Sequence, residues 1–220
     1  MRQTLQVDFI SDVACPWCAV GLASFEQALR ELGDEVAVTL HFQPFELNPT
    51  MAPEGVDAAD YLMAKYGRSR EQLAAGRAHI AERGAAVGFT FGERKWVWNT
   101  FDAHRLLYWA GVEGPPGSQL GLKRALLQAY HGAGRNPGAH DVLLELAASI
   151  GLDGDRARAV LASHEFSDEV RAAERFWQEA GISAVPAVVI NRRHLVAGGQ
   201  PPEVFAQALR QVAAEGATPP

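Results

Sequence analysis

Sheet-forming pattern is confined to the two ends of this chain, and helical pattern fills the stretch between them. Near the N-terminus, residues 7–10 read as a strand, 16–32 as a helix and 36–42 as a second strand. In the second strand Val36, Val38, Leu40 and Phe42 alternate with Ala37, Thr39 and His41, the period that sends alternate side chains to opposite faces. Pro16 suits a first helical position, where its missing N–H costs nothing, and Gly33 supplies a left-handed stop. A strand, a helix and a strand in this order imply a right-handed parallel crossover.

The centre obeys a different rule. Pro44, Pro49 and Pro53 mark an irregular connection, after which helices are expected over 56–66, 69–87, 100–111, 116–132, 139–150 and 153–163. Gly67, Gly88 and Gly151, and the glycine-bearing stretches 111–117 and 132–138, separate them, with Phe89-Thr90-Phe91 as a short extended piece. Toward the C-terminus a helix over 167–181 carries Val170, Ala173, Phe176, Trp177 and Ala180 along one side. A strand over 186–190, a turn at Asn191-Arg192-Arg193, a returning strand over 194–197 and a helix over 202–214 complete the pattern, and 217–220 reads as frayed. The expected fold class is α/β, a mixed central sheet flanked by helices. The expected parts are 1–50 (strand–helix–strand), 51–165 (an all-helical insertion) and 166–220 (helix, hairpin, helix).

Composition narrows the function. At 220 residues, 48% apolar and 21% charged, the chain matches an ordinary soluble globular protein that needs no staples. The net charge of −6 and the absence of a long basic run argue against nucleic acid. No window is long and apolar enough to span a bilayer, and no signal-type segment precedes the first strand, so no membrane association and a cytoplasmic location are expected.

The chain's only two cysteines stand together in Cys15-Pro16-Trp17-Cys18. In a reducing compartment a disulfide between them would be transient, which points to chemistry rather than scaffolding. Placed between a strand and a helix, the first thiol meets the free N–H groups and positive end of the helix, which favour thiolate. Two bland alternatives stand beside this: half of a zinc site, though no histidine pair falls at a supporting spacing, and two buried apolar side chains. No flavin, nicotinamide or metal motif accompanies the pair, so no resident cofactor or metal is expected.

Five stretches carry a resemblance: VDFISDVACPWCAVG at 7–21, QPFELNP at 43–49, NTFDAHRL at 99–106, AYHGAGRNPGAHDVLLELAASIGLD at 129–153 and GISAVPAVVINRRHLVAGGQ at 181–200. Through them the chain resembles the DsbA-like branch of the thioredoxin superfamily, most closely its FrnE-type members. The resemblance names the fold as a thioredoxin fold with a large helical insertion. It implies a protein-disulfide oxidoreductase or isomerase with Cys15 as the exposed attacking thiol and Cys18 as the shielded resolving thiol. Pro16 and Trp17 would tune the pair, and Val185-Pro186 would be the cis-proline site whose backbone aligns a substrate strand. Asp8 is a candidate to carry the Cys18 proton or else a solvent-facing carboxylate, and Asp12 reads as a turn residue rather than a brake on the thiolate. Asn99 reads as a helix N-cap, and His104 as a surface histidine rather than one facing the thiols. Trp96, Trp98, Trp109 and Trp177 are expected in the core or lining a groove. Gly198-Gly199-Gln200 departs slightly from the family's Gly-Ala-Gln.

Relatives of this fold include glutathione-dependent isomerases of the hydroxychromene carboxylate type and kappa-class glutathione transferases. That makes glutathione a candidate co-substrate and a small-molecule isomerase or transferase an alternative. Cys15, where those enzymes carry serine, and the retained Cys18 favour disulfide exchange. The expected partners are thiol- or disulfide-containing proteins or small molecules and a redox recycling partner. A non-catalytic partner-binding or holdase module is the remaining alternative.

Overall fold

A computed structural model describes residues 4–217. In chain order the elements are β1 (Thr4–Ser11), α1 (Pro16–Leu32), β2 (Ala37–Pro44), β3 (Val56–Asp57), α2 (Ala58–Tyr66), α3 (Arg70–Ala86), β4 (Trp96–Val97), α4 (Phe101–Val112) and α5 (Ser118–Leu127). They continue with a π-helical turn (Gln128–Gly132), α6 (His140–Ser149), α7 (Gly154–Ala162), α8 (Ser167–Glu179), β5 (Ala187–Ile190), β6 (His194–Ala197) and α9 (Pro202–Ala217). The segment read as frayed lies, beyond Ala217, outside the described residues.

The main sheet has the order β2-β1-β5-β6. β1 runs parallel to β2, with Thr4 opposite Ala37 and Ser11 opposite Pro44, and α1 crosses between them. β5 lies antiparallel on the other side of β1, Val7 facing Ile190, and β6 folds back on β5. β1 is therefore central and covered on both faces, which requires a nearly unbroken apolar run. Leu5, Val7 and Phe9 pack with Phe25 of α1 and Phe205 and Leu209 of α9. Ile10, on the opposite face, packs with Trp177 of α8 and Ile182. Full burial of a ring such as Phe9 contributes about 2–3 kcal/mol.

A second core lies among the inserted helices, built from Leu106, Leu122, Leu126, Tyr130, Leu143 and Val160. Val13 and Ala14 belong to it, so the turn between β1 and α1 is seated on the helical part while its flanks belong to the sheet.

Several expectations need correcting. α2 starts at Ala58 because Asp57 caps it, accepting from the N–H groups of Ala59 and Asp60, while Val56-Asp57 pairs with Trp96-Val97. The short extended piece is thus 96–97 and not 89–91. Phe89 and Phe91 pack instead against Gly84, where an added Cβ would come within 2.5 Å of the Phe91 ring. On α8 the buried positions are Val170, Glu174 and Trp177, and Phe176 is 51% exposed. Trp109 and Trp177 are buried, but Trp96 faces outward and stacks on Trp98 at 6.3 Å. Pro186 stands just before β5, outside the ladder, so a proline in a central strand poses no conflict.

Candidate active site

The turn that carries the cysteines is organised by one carboxylate. Asp12 is fully buried and accepts from Ala14 N at 3.0 Å, Leu47 N at 2.7 Å and Thr100 Oγ1 at 2.8 Å, with His104 Nε2 at 3.4 Å. Its carbonyl accepts from Cys15 N at 3.3 Å. The active-site turn, the segment after β2 and the start of α4 are pinned at this single side chain. Burial works to raise the Asp12 pKa, but the His104 hydrogen bond and charge and the two backbone N–H groups outweigh it and hold the carboxyl below its ordinary range. Asp12 thus serves the turn, as read, and also brings a negative charge beside the thiols.

Cys15 is the N-cap residue of α1, in extended conformation, and Pro16 takes the first helical position. Its Sγ lies 3.5 Å from the Val185 carbonyl oxygen. The Val185–Pro186 peptide is cis, and the Pro186 carbonyl accepts from Gly198 N at 2.8 Å. Two glycines permit close packing here, Gly21 against this proline and Gly199 against Trp17. A Cβ on Gly21 would stand 3.0 Å from the Pro186 ring, and one on Gly199 would stand 3.2 Å from the Trp17 ring. The departure at Gly199 therefore leaves room beside Trp17.

Cys15 is not an exposed tip. It is 5% exposed and reaches solvent at the floor of a cleft of about 670 Å³; Cys18 is fully buried behind it. Both thiols are free. The Cys18 thiol hydrogen-bonds toward Cys15 Sγ and lowers the Cys15 pKa; burial and the Asp12 charge oppose this, and the N–H groups of Cys18 and Trp17 assist it. Burial raises the Cys18 pKa well above that of an ordinary thiol, and its hydrogen bond to Cys15 adds to the rise. The two thiols are thereby shifted in opposite directions, Cys15 toward thiolate and Cys18 toward the neutral thiol.

Because Asp12 opposes thiolate formation at Cys15, Asp12→Asn is expected to shift the pH profile of Cys15 alkylation by iodoacetamide to lower pH. An unmoved or upward-shifted profile would contradict this placement of the charge.

The other sequence candidates fall in distinct places. Asp8 is fully buried rather than solvent-facing, on the β1 face it shares with Ile10, opposite the face that packs on α1. Its Oδ1 accepts from Gln43 Nε2 at 2.7 Å while Oδ2 has no partner. Thr100, not Asn99, holds the N-cap position of α4; Asn99 precedes it and accepts from Phe101 N at 2.8 Å. His104 is 2% exposed, and buried against Asp12 rather than at the surface.

Three residues escaped the sequence reading. His131, in the π-helical turn, lines the cleft and donates Nε2–H to the Val13 carbonyl at 2.9 Å. Arg94 also lines it, donating to the Ala14 carbonyl at 3.1 Å. Lys123 is buried on α5. A single histidine, arginine or lysine in a helical or loop segment gives no signal of this kind in the letters.

Much of the remaining cleft wall comes from α2 and α3. Tyr61, Tyr66, Leu73 and Ile80 supply apolar surface, and Trp17 meets His79 of α3 at 5.7 Å between ring centres.

The DSBA-like thioredoxin domain profile matches residues 6–210. The chain belongs to that family. Among other DSBA-like proteins, the probable DsbA oxidoreductase SCO1869 from Streptomyces coelicolor is 39% identical. It superposes with a TM-score of 0.89, covering 98% of this chain and 92% of the other. The uncharacterized protein YwbO of Bacillus subtilis (strain 168) is 27% identical over 209 residues, 94% of this chain and 96% of that one. The cytosolic disulfide reductase DsbM from Pseudomonas aeruginosa, solved with GSH, shares the fold at 18% identity and TM-score 0.62, covering 95% of this chain and 99% of that one. The DsbA-like oxidoreductase family and the thioredoxin fold read from the motifs are the ones that match.

Proposed function

We propose that the protein is a thiol–disulfide oxidoreductase that works by cycling Cys15 and Cys18. The observation that carries this is the placement of Cys15 Sγ at the cleft floor, 3.5 Å from the Val185 carbonyl, with Cys18 enclosed behind it and shifted in the opposite direction. In the reducing direction the Cys15 thiolate attacks one sulfur of a substrate disulfide and the other leaves as thiolate. Cys18, once deprotonated, attacks Cys15 Sγ, closes the Cys15–Cys18 bond and expels the reduced substrate. An external thiol or recycling partner then restores the dithiol. Val185 would align an extended substrate by its backbone, and Pro16 and Trp17 would tune access. We assign the cytoplasm and the reducing direction, in keeping with the cytosolic disulfide reductase that shares the fold.

The test is equilibration of the protein against defined ratios of reduced and oxidised glutathione, followed by acid quench, alkylation and mass spectrometry. One transition between two alkylated thiols and none is expected. A pair that stays alkylated at every ratio would overturn the reading.

A second reading, glutathione as co-substrate, is favoured by the charge of the cleft. Among the described residues Lys65, Arg68, Arg77 and Arg94 line it and no Asp or Glu does, although the chain as a whole carries a net charge of −6. Carboxylates flanking a small thiol would meet cations there. Charge reversal at Arg68 and Arg77 together is expected to raise KM for glutathione disulfide roughly tenfold, with a loss of salt dependence. An unchanged KM and salt response would remove this reading. An isomerase on the same site would respond saturably to glutathione even in Cys18→Ala.

A further inference from the structure

Two peptide planes lead into Cys15, Val13–Ala14 and Ala14–Cys15, and each is held at both of its ends. At their N–H ends, Ala14 donates to Asp12 Oδ1 at 3.0 Å and Cys15 donates to the Asp12 carbonyl at 3.3 Å. At their carbonyl ends the donors come from far along the chain. His131 Nε2 donates to the Val13 carbonyl at 2.9 Å, and Arg94 Nη1 donates to the Ala14 carbonyl at 3.1 Å. A carbonyl oxygen can only accept, which fixes the Nε2–H tautomer of His131. Val13 and Ala14 are buried, and buried carbonyls need partners. Any donor would meet that need, yet the two used here depend on an unusual arrangement of the backbone.

That arrangement is built by two segments in contact. The turn after α5 is widened, Ala133 N reaching back to the Gln128 carbonyl at 3.1 Å, and this π-helical turn carries His131. The loop between α3 and β4 lies against it, backbone to backbone. Gly92 N donates to the His131 carbonyl at 2.9 Å, and a Cβ on Gly92 would run into the Gly132 carbonyl oxygen. Two residues on, the Arg94 guanidinium stands 5.4 Å from the centre of the Tyr130 ring, the neighbour of His131 in sequence. Both Arg94 and His131 line the cleft into which Cys15 opens.

We propose that Arg94 and His131 form a clamp that positions Cys15. By fixing the oxygens of the two preceding peptides, they keep its sulfur at the N-cap of α1 and against the Val185 carbonyl. This rests on the disulfide-exchange reading, in which the same sulfur must be both ionised and aimed. With either oxygen released, its peptide is free to rotate, and Cys15 drifts from the Trp17 and Cys18 N–H groups that favour thiolate. Arg94 and His131 are positioning residues, acting on the sulfur through the turn. Besides the clamp, the charged and titratable groups around Cys15 are Cys18 of α1, Asp12 of the turn, and Lys65, Arg68 and Arg77 of the cleft wall.

The test is the pH profile of Cys15 alkylation in the reduced full-length protein, with iodoacetamide as an uncharged probe and the modified site read by mass spectrometry. In Arg94→Met the midpoint is expected to rise by about one pH unit, roughly tenfold less thiolate below the midpoint. The rise should persist at high salt, because a hydrogen bond within the turn is not screened as a charge acting across the cleft would be. Gly92→Ala keeps the arginine and its charge but displaces the loop, and should raise the midpoint as Arg94→Met does. His131→Leu should raise it too, and His131→Gln, which retains an N–H for Val13, should restore it. A wild-type midpoint in Arg94→Met or His131→Leu overturns the clamp. So does a rise in Arg94→Met that salt abolishes, or that a folded Gly92→Ala lacks; should Gly92→Ala not fold, the salt response decides. The parent reading fails on a different result, a wild-type Cys15–Cys18 pair that never oxidises against glutathione.

Discussion

Replacing Cys15 with serine is expected to abolish disulfide reduction, a loss on the order of 10⁴-fold or more in insulin-reduction assays, because it removes the reacting nucleophile. Replacing Cys18 with serine should leave the first attack intact and stop the cycle one step later. Its signature is a stable adduct on Cys15, visible as added mass that dithiothreitol removes. The two outcomes differ because the structure gives the sulfurs different positions: one opens on the cleft and the other has no solvent contact. A Cys15→Ser protein with full activity would refute the redox role and restore the partner-binding alternative. A Cys18→Ser protein that turns over normally would show that a second protein thiol is not needed, as in a glutathione-linked mechanism.

The second large effect is on stability in mild acid. Burial is the main cause of a His131 pKa lowered to about 3 from 6.5, with the nearby Arg94 charge adding to it. Between those values the unfolded chain binds a proton at this position and the folded chain does not. Stability therefore rises with pH across that window, and falls as pH drops from 6.5 toward 3. The loss from this group alone amounts to roughly 2 kcal/mol between pH 6.5 and 5. Glu46, whose pKa burial raises, contributes with the opposite sign at the acid end, so the measurement is a difference between proteins. Urea midpoints at the two pH values should separate less in His131→Gln, which keeps an N–H for the Val13 carbonyl. Equal separation in wild type and variant would show that His131 does not carry the effect.

Some of this protein was plain in the letters. Glycine, proline and the alternation of apolar residues act locally, so α1 begins at Pro16 and the parallel crossover and C-terminal hairpin follow the pattern. The boundaries that shifted did so for reasons of partnership. Val56-Asp57 became a strand only because Trp96-Val97 lies alongside, and Glu174 could be buried where Phe176 was expected because Arg171 pairs with it. The candidate site divides the same way. Cys15 and Cys18 stand out because the chain has no other cysteine, and Val185-Pro186 because of the family motif. Asp8 and His104 could not be oriented from sequence, since a strand or helix position does not say which neighbour covers each face.

Sequence by itself determined the order of the main-sheet strands and the principal helices, the strand–helix junction that holds two thiols three positions apart, and the family to which that junction belongs. These are set by short-range sterics and by periodicity, which each segment carries within itself. Only the tertiary structure decided what surrounds the sulfurs: Asp12 tied to His104, a cationic cleft with walls from α2 and α3, and a sealed second thiol. Burial and electrostatic environment arise where segments far apart in the chain converge, and a shift in acidity depends on that convergence rather than on the identity of any one residue.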